Sequence, residues 1–344
     1  MSADAAPSSE RVNPRRLTEW VFRVRELGII VALALLIAVT AILEPRFVEA
    51  ESLRNLALNA SIFVILAAGQ TLVLITRNVD LSVGSVLCLS AYLAGDLLSD
   101  HAGMSLILVF ALGMLLGAAC GLLNGVLTTW GRVPALVVTL GTLYAFRGLA
   151  FLWTDGRQVN AETLPDSFLN IGTGTVLGVP YLVIIALVVV VVVGQWLRDF
   201  RAGRELYAIG SNPEGARLAG VRSDRRVPTA FMLAGALAGL GGALFTARFA
   251  TVDATAGTGY ELTVIAGAVV GGVAIFGGTG SVYGAALGAL LLGTITSSLI
   301  VLRVEAFWQQ AAIGALLLVA IAFDRFLGLR VEAALRRRSA RRAS

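Results

Sequence analysis

The chain has 344 residues, 57% hydrophobic and 14% charged, with a formal net charge of +5 and a mean hydropathy of +0.83. A soluble domain carries about 25% charged residues, so a water-soluble globule is excluded. Apolar runs of about 17–25 residues recur instead, each long enough to cross a hydrocarbon core about 30 Å thick. The runs are continuous rather than alternating, which argues against a membrane β-barrel. All 27 basic residues are arginine. A Walker-type phosphate loop needs a lysine after its glycines, so none is encoded.

The fold class predicted is all-α, a polytopic membrane bundle of about ten spans. In chain order they cover about residues 27–43, 55–76, 81–98, 104–128, 133–153, 177–197, 229–247, 261–276, 281–302 and 307–325. Residues 1–26 are read as a cytoplasmic tail without the apolar core of a signal peptide. Residues 27–326 form the membrane domain, with a cytoplasmic segment at 198–228 inside it, and 327–344 form a basic cytoplasmic tail. With the N-terminus inside, the inner segments hold 21 arginines and the outer loops five. Basic residues favour the cytoplasmic side, so an even number of crossings with both termini cytoplasmic is expected.

Stepping through the spans, Gln70 and Thr71 lie in the second, Ser90 and Asp96 in the third, Asn124 in the fourth, and Thr139, Thr142 and Arg147 in the fifth. Polar groups inside a bundle are costly unless used. These residues are candidates either for interhelix hydrogen bonds or for contact with a passing solute. Arg147 is placed to pair with Asp96 or to reach outward to water. Asp80 lies at the inner turn between two spans, where it can cap the third helix or take part in transport directly. Cys88 and Cys120 lie within spans and read as packing residues; His101 sits in a short loop. No metal site, cofactor or catalytic constellation emerges. The arginines flank spans, which fits topology rather than nucleic-acid binding.

Glycines form four-spaced ladders: Gly113, Gly117, Gly121 and Gly125, then Gly235 with Gly239, Gly267 with Gly271, and Gly284 with Gly288. Such faces let helix backbones approach closely in lipid, for static packing or for sliding. GSVLCLSAYLAG from Gly84 resembles GSVYGAALGALLLG from Gly280, which suggests two half-bundles of the same orientation. The outer loop Thr154–Val176 is a docking surface or a connector.

One charged segment interrupts the apolar pattern. GSNPEGARLAGVRSDRRVP, from Gly210 to Pro228, encodes a short helix. Asn212 is its N-cap and Pro213 its first residue. Glu214 favours the positive helix end, and Gly220 stops it. A helix of about seven residues is marginal alone in water, so it needs something to lean on. Gly215, Ala216, Ala219 and Gly220 give it a slim face, and Arg217 begins a surrounding set of charges. The segment is either a solvated topological loop or a docking helix for a soluble cytoplasmic partner.

GRELYAIGSNPEGARLAGV, Gly203–Val221, resembles the cytoplasmic coupling segment of permease subunits in ribose-type bacterial ABC importers. NVDLSVGS, Asn78–Ser85, is similar to that family's G-G-x-D-L-S-V-G-S motif, with Arg77-Asn78 where a glycine pair is usual. VPALVVTLGTLYAFRGLAFL from Val133 and the glycine-rich stretch from Gly259 to Gly293 resemble two further segments in the family's order. The wording AIFGGTGSVYG and FWQQAAIG is nearest the rhamnose and autoinducer-2 branch. The resemblance implies a non-enzymatic permease in the bacterial inner membrane, without a cofactor, that imports a monosaccharide or similar small polar solute. A separate cytoplasmic ATPase would energise it. A periplasmic solute-binding protein would feed it, and a second permease subunit, identical or homologous, would complete the pathway. It also implies that Asn212–Arg217, Ala219 and Gly220 couple to the ATPase. The alternative is an ion-coupled secondary sugar transporter, which usually places ionisable groups near the membrane midplane.

Overall fold

The computed structural model describes residues 14–305 and, beyond them, 307–312, 314, 315, 318 and 322. Nine of the 19 residues of the predicted tenth span therefore lie outside the described residues, as do the start of the N-terminal tail and the C-terminal tail. The helices are α1 Pro14–Leu43, α2 Ala50–Leu74, α3 Val83–Asp100, α4 Leu106–Thr129, α5 Ala135–Thr154, α6 Asp166–Thr173, α7 Tyr181–Asp199, α8 Arg201–Ser211, α9 Pro213–Leu218, α10 Ser223–Phe249, α11 Tyr260–Val270 and α12 Val282–Val301. Eight of them are long and apolar enough to cross a membrane. A two-strand hairpin, β1 Thr175–Val176 with β2 Val179–Pro180, is the one sheet among the described residues. Pro134, Pro165 and Pro180 stand immediately before α5, α6 and α7, positions where a missing N–H costs nothing.

The buried spine is α2, α3 and α10. The other long helices turn apolar faces outward, with Ile42 on α1, Ile107 on α4 and Val192 on α7 all more than half exposed. Lipid tails are as apolar as leucine, so burial of such faces does not drive assembly, and close backbone packing must. The glycine ladders supply it by pairing with one another. A Cβ on Gly117 would collide with the carbonyl oxygen of Gly235, and one on Gly239 with that of Gly113. Gly121 lies against Phe231, and Gly125 against Pro228. The reversed order makes α4 and α10 antiparallel. On the other side Gly271 meets Gly284, and Gly288 meets Gly267, closing α11 onto α12 in the same way.

The hairpins α2–α3 and α11–α12 share one plan. The turn after α2 passes through Arg77, left-handed at φ 65°, with the next N–H returning to the Val73 carbonyl. The turn after α11 passes through Gly272, φ 102°, with the Val273 N–H returning to the Ala268 carbonyl. The two turns touch, since the Gly278 N–H donates to the Ile75 carbonyl at 2.9 Å. Both hairpins therefore present their turns at the same end of the bundle, as expected of two halves with the same orientation. The sequence match is offset from this equivalence. Gly84 lies inside α3 whereas Gly280 precedes α12, because the second turn is longer.

The predicted span 261–276 is shorter than a crossing. α11 has 11 residues and rises about 16 Å, half of a hydrocarbon core. Its C-terminal end joins the turns just described. Its first residue, Tyr260, packs on Phe63, midway along α2, with ring centroids 4.6 Å apart and the planes tilted by 44°. The connection from α10 must therefore descend from the opposite face to mid-depth. It begins with a bridge between Val252 and Val159. It then passes Cys88, whose Sγ lies 3.5 Å from the Ala254 carbonyl, and reaches Gly84 and Leu87 of α3 at Gly257. Gly257 and Gly259 are left-handed, φ 67° and 84°, and turn the chain into α11.

The Thr154–Val176 loop is ordered by this same connection. Val159 is buried against Gly95. α6 seats Phe168 in the core and Gly172 against the Ala247 carbonyl at the end of α10.

Candidate functional site

α8 and α9 form a small lever beneath the two turns. α8 is amphipathic and buries Leu206 and Ile209. Gly210 must be glycine, because a Cβ there would collide with the Ile75 carbonyl and stand 2.5 Å from the Gly278 nitrogen. Arg77 straps the junction from the other side. Its Nε donates to the Gly210 carbonyl, and its Nη2 to that of Ser211 at 2.8 Å. Tyr207 donates its hydroxyl to the Gly280 carbonyl at 2.9 Å. Burial pushes that hydroxyl up to about 12, so it remains a neutral donor at any physiological pH. One helix end thus holds a turn from each half of the bundle.

Glu205 fixes the lever to α10. It is 9% exposed and accepts from Arg226 and from Arg201, the latter at 2.7 Å. The Arg226 and Arg201 guanidiniums hold its carboxyl below the usual value near 4.5. A depressed folded value means a contribution present above the unfolded value and lost as pH falls through the folded one. Glu205→Gln should therefore lower the unfolding temperature of the purified subunit at pH 7 by roughly 2 °C, and the gap should narrow steadily as the pH falls below the ordinary carboxyl value near 4.5. An equal gap across that range would show that the charge is not what holds the lever.

α9 follows at once. Asn212 Oδ1 accepts from the Gly215 N–H at 3.0 Å. Glu214 pairs with Arg217 at 2.6 Å on an exposed face. Gly220, φ 79°, ends the turn. Of the eight residues expected to couple, Ala216 alone is buried, in a satellite cluster with Val73, Ile209 and Phe231. Asn212, Pro213, Glu214, Arg217, Ala219 and Gly220 are exposed, and Gly215 is half-buried. Leu218 is 78% exposed beside them. Sequence reasoning passed over it; the signal was a lone large apolar residue in a slim, charged helix.

Four of the predicted polar residues meet in one network just above the lever. Asp80 Oδ1 accepts from the backbone N–H and hydroxyl of Ser82, at 2.8 and 2.7 Å. The helix N-cap position is Ser82 itself, so the Asp80 carboxylate acts one residue before α3, on the turn that leads into it. Asn124 donates to Ser82 Oγ at 2.8 Å and accepts from Thr142 at 2.7 Å. Thr139 donates to the Val79 carbonyl at 3.1 Å. The inner turn is thereby fastened to α4 and α5. Ser82 is the member that sequence reasoning missed, though it lies within the quoted NVDLSVGS.

The remaining residues are apart. Thr71 donates within its own helix to Ala67, and Ser90 to the Gly113 carbonyl at 3.2 Å. Gln70 is 1% exposed and its Nε2 has no hydrogen-bond partner. Arg147 neither pairs with Asp96 nor reaches outward. Its Nη1 donates to the carbonyls of Ala254 and Ala256, both at 2.8 Å, and so holds the descending connection against α5.

A family model described as "Branched-chain amino acid transport system / permease component" matches residues 52–321. The chain is 38% identical over 313 residues to the autoinducer 2 import system permease protein LsrC of Escherichia coli K12, covering 91% of this chain and 90% of that one. It is 37% identical over 313 residues to the protein of that name from Shigella flexneri, with the same coverage. It is 36% identical over 308 residues to that of Photorhabdus laumondii, covering 90% of this chain and 91% of the other. No solved structure matches.

Proposed function

The chain belongs to the family of transport-system permease components, and from that we propose that it is the membrane subunit of an ATP-driven importer for autoinducer 2 or a similar small polar sugar-like solute. The observation that carries the mechanism is the lever. An exposed helix on the bundle surface is joined, through Gly210 and Arg77, to a turn of each half. In this reading a separate ATPase grips α9, with Leu218 as the apolar anchor and Asn212, Glu214 and Arg217 around it. ATP binding moves the gripped helix, and both turns follow. A ligand shifts such an equilibrium only through differential affinity for the two states, so the grip must differ between them. A periplasmic solute-binding protein delivers the solute, and a second permease subunit, identical or homologous, faces this one. Both termini and the lever lie in the cytoplasm, as the distribution of arginines favours.

The test is a co-purified transporter. Cysteines introduced at Leu218 or Glu214 should crosslink to the ATPase subunit and be labelled from the cytoplasmic side. Glu214→Arg and Gly215→Trp should insert normally yet hydrolyse ATP without uptake. Labelling of this helix from outside would refute the topology, and wild-type uptake in both variants would refute the grip.

The ion-coupled alternative requires a carboxylate near mid-depth, and Glu261, in the first turn of α11, lies there. An uncoupler added to ATP-loaded vesicles separates the readings. The importer continues to accumulate solute, whereas an ion-coupled carrier stops.

A further inference from the structure

The descending connection leaves a polar face uncovered. Asp253, Thr255 and Thr258 are exposed and Glu261 partly so, while Ala254, Ala256 and Gly257 turn inward. Tyr144 of α5, one turn before the Arg147 that bonds this connection, is 69% exposed as well. This surface extends from one face of the bundle to mid-depth, as the Phe63–Tyr260 contact and the half-length of α11 establish. Irregular backbone at membrane depth is tolerated only within protein or against water, never against lipid. Intramembrane carboxylates likewise face a bundle interior or an aqueous cavity.

We propose that Asp253, Thr255, Thr258 and Glu261, with Tyr144, form the wall of the aqueous conduit and hydrogen-bond a neutral polyhydroxylated solute as it passes. The assignment rests on the importer reading for its solute, but its geometry is independent of that reading. Chemistry favours such a solute. Thr255 and Thr258 spend their hydroxyl hydrogens within the loop, on Asp253 Oδ1 and on the Thr255 carbonyl, both at 2.6 Å, so they meet a solute as acceptors; the tyrosine hydroxyl both donates and accepts, and the carboxylates accept from sugar hydroxyls. The face is exposed, which suits weak, transient contact. Arg147 is consumed by the Ala254 and Ala256 carbonyls. It acts as a positioning residue that holds the turns of the connection against α5.

The experiment uses the complete transporter in membranes, with Cys88→Ala and Cys120→Ala as background. Thr255→Cys and Thr258→Cys should react with a charged, membrane-impermeant methanethiosulfonate at least about tenfold faster than Val192→Cys on the apolar face of α7, because thiolate chemistry needs water. Equal, slow reaction at all three positions overturns the conduit. Thr255→Val and Thr258→Val, at unchanged membrane levels, should each raise the KM for autoinducer 2 uptake about fivefold to tenfold, as loss of one hydrogen bond does. Fast labelling with an unchanged KM overturns the solute contact and keeps the conduit. A wild-type complex that moves no autoinducer 2 sinks the choice of solute in the importer reading, while the labelling rates still decide the conduit.

Discussion

Arg77→Gly should leave the subunit folded and the assembled ATPase active, while solute uptake falls about tenfold or more. The residue sits at φ 65°, a conformation that disfavours arginine by roughly 1–2 kcal/mol and suits glycine. The substitution therefore relaxes the backbone. What it removes is the guanidinium and its bonds to the Gly210 and Ser211 carbonyls. Bonds from a charged donor contribute about 1.5–3 kcal/mol each, and 1.4 kcal/mol corresponds to a factor of ten in an equilibrium. A lever that slips against the first turn still moves, but it no longer sets the state of that half of the bundle. The measurement is the ratio of solute transported to ATP hydrolysed in proteoliposomes. An unchanged ratio would mean that Gly210, packed on Ile75 and Gly278, carries the movement without the strap. Arg77→Lys should give an intermediate ratio, since an ammonium can reach one carbonyl but lacks the fork that engages two.

Gly117→Ala should abolish the assembled subunit. The added methyl meets backbone on the facing helix, the Gly235 carbonyl and, at 2.9 Å, the Gly239 nitrogen. A flexible side chain could yield; a helix backbone yields only by moving the whole helix. Ordinary overpacking costs about 1–3 kcal/mol, and here separating α4 from α10 breaks the adjoining Gly113–Gly239 and Gly121–Phe231 approaches as well. The expected result is loss of monodisperse protein in detergent. Gly148→Ala is the comparison, because nothing lies within 4 Å of its added carbon. Recovery of folded Gly117→Ala at the level of Gly148→Ala would show that the helix pair has slack and that the ladder serves sliding rather than close packing.

Much of the site was legible because it was written in short, local chemistry. The N-cap at Asn212, the stop at Gly220 and the charged break between apolar runs depend on neighbours a few residues apart. The ladders were visible for the same reason, since a spacing of four is a property of one helix. Their pairing was not visible, because the ladder at Gly113–Gly125 could have met any of the other three. Glu261 shows the limit most clearly. Its apolar successors through residue 276 read as a full crossing, which placed the carboxylate at an outer surface. The left-handed glycines at 257 and 259 end that illusion by bringing the chain to mid-depth before the helix starts.

Hydropathy and arginine placement by themselves determined that this is a helical membrane bundle interrupted by one charged segment, because the cost of burying charge in hydrocarbon is paid residue by residue. Tertiary structure alone decided that the lever grips both halves, that Asp80, Ser82, Asn124, Thr139 and Thr142 close one network, and that a polar ribbon runs exposed to mid-depth. Each of those facts depends on which backbones touch. In lipid that choice is made by steric fit between distant helices, and a linear pattern does not record it.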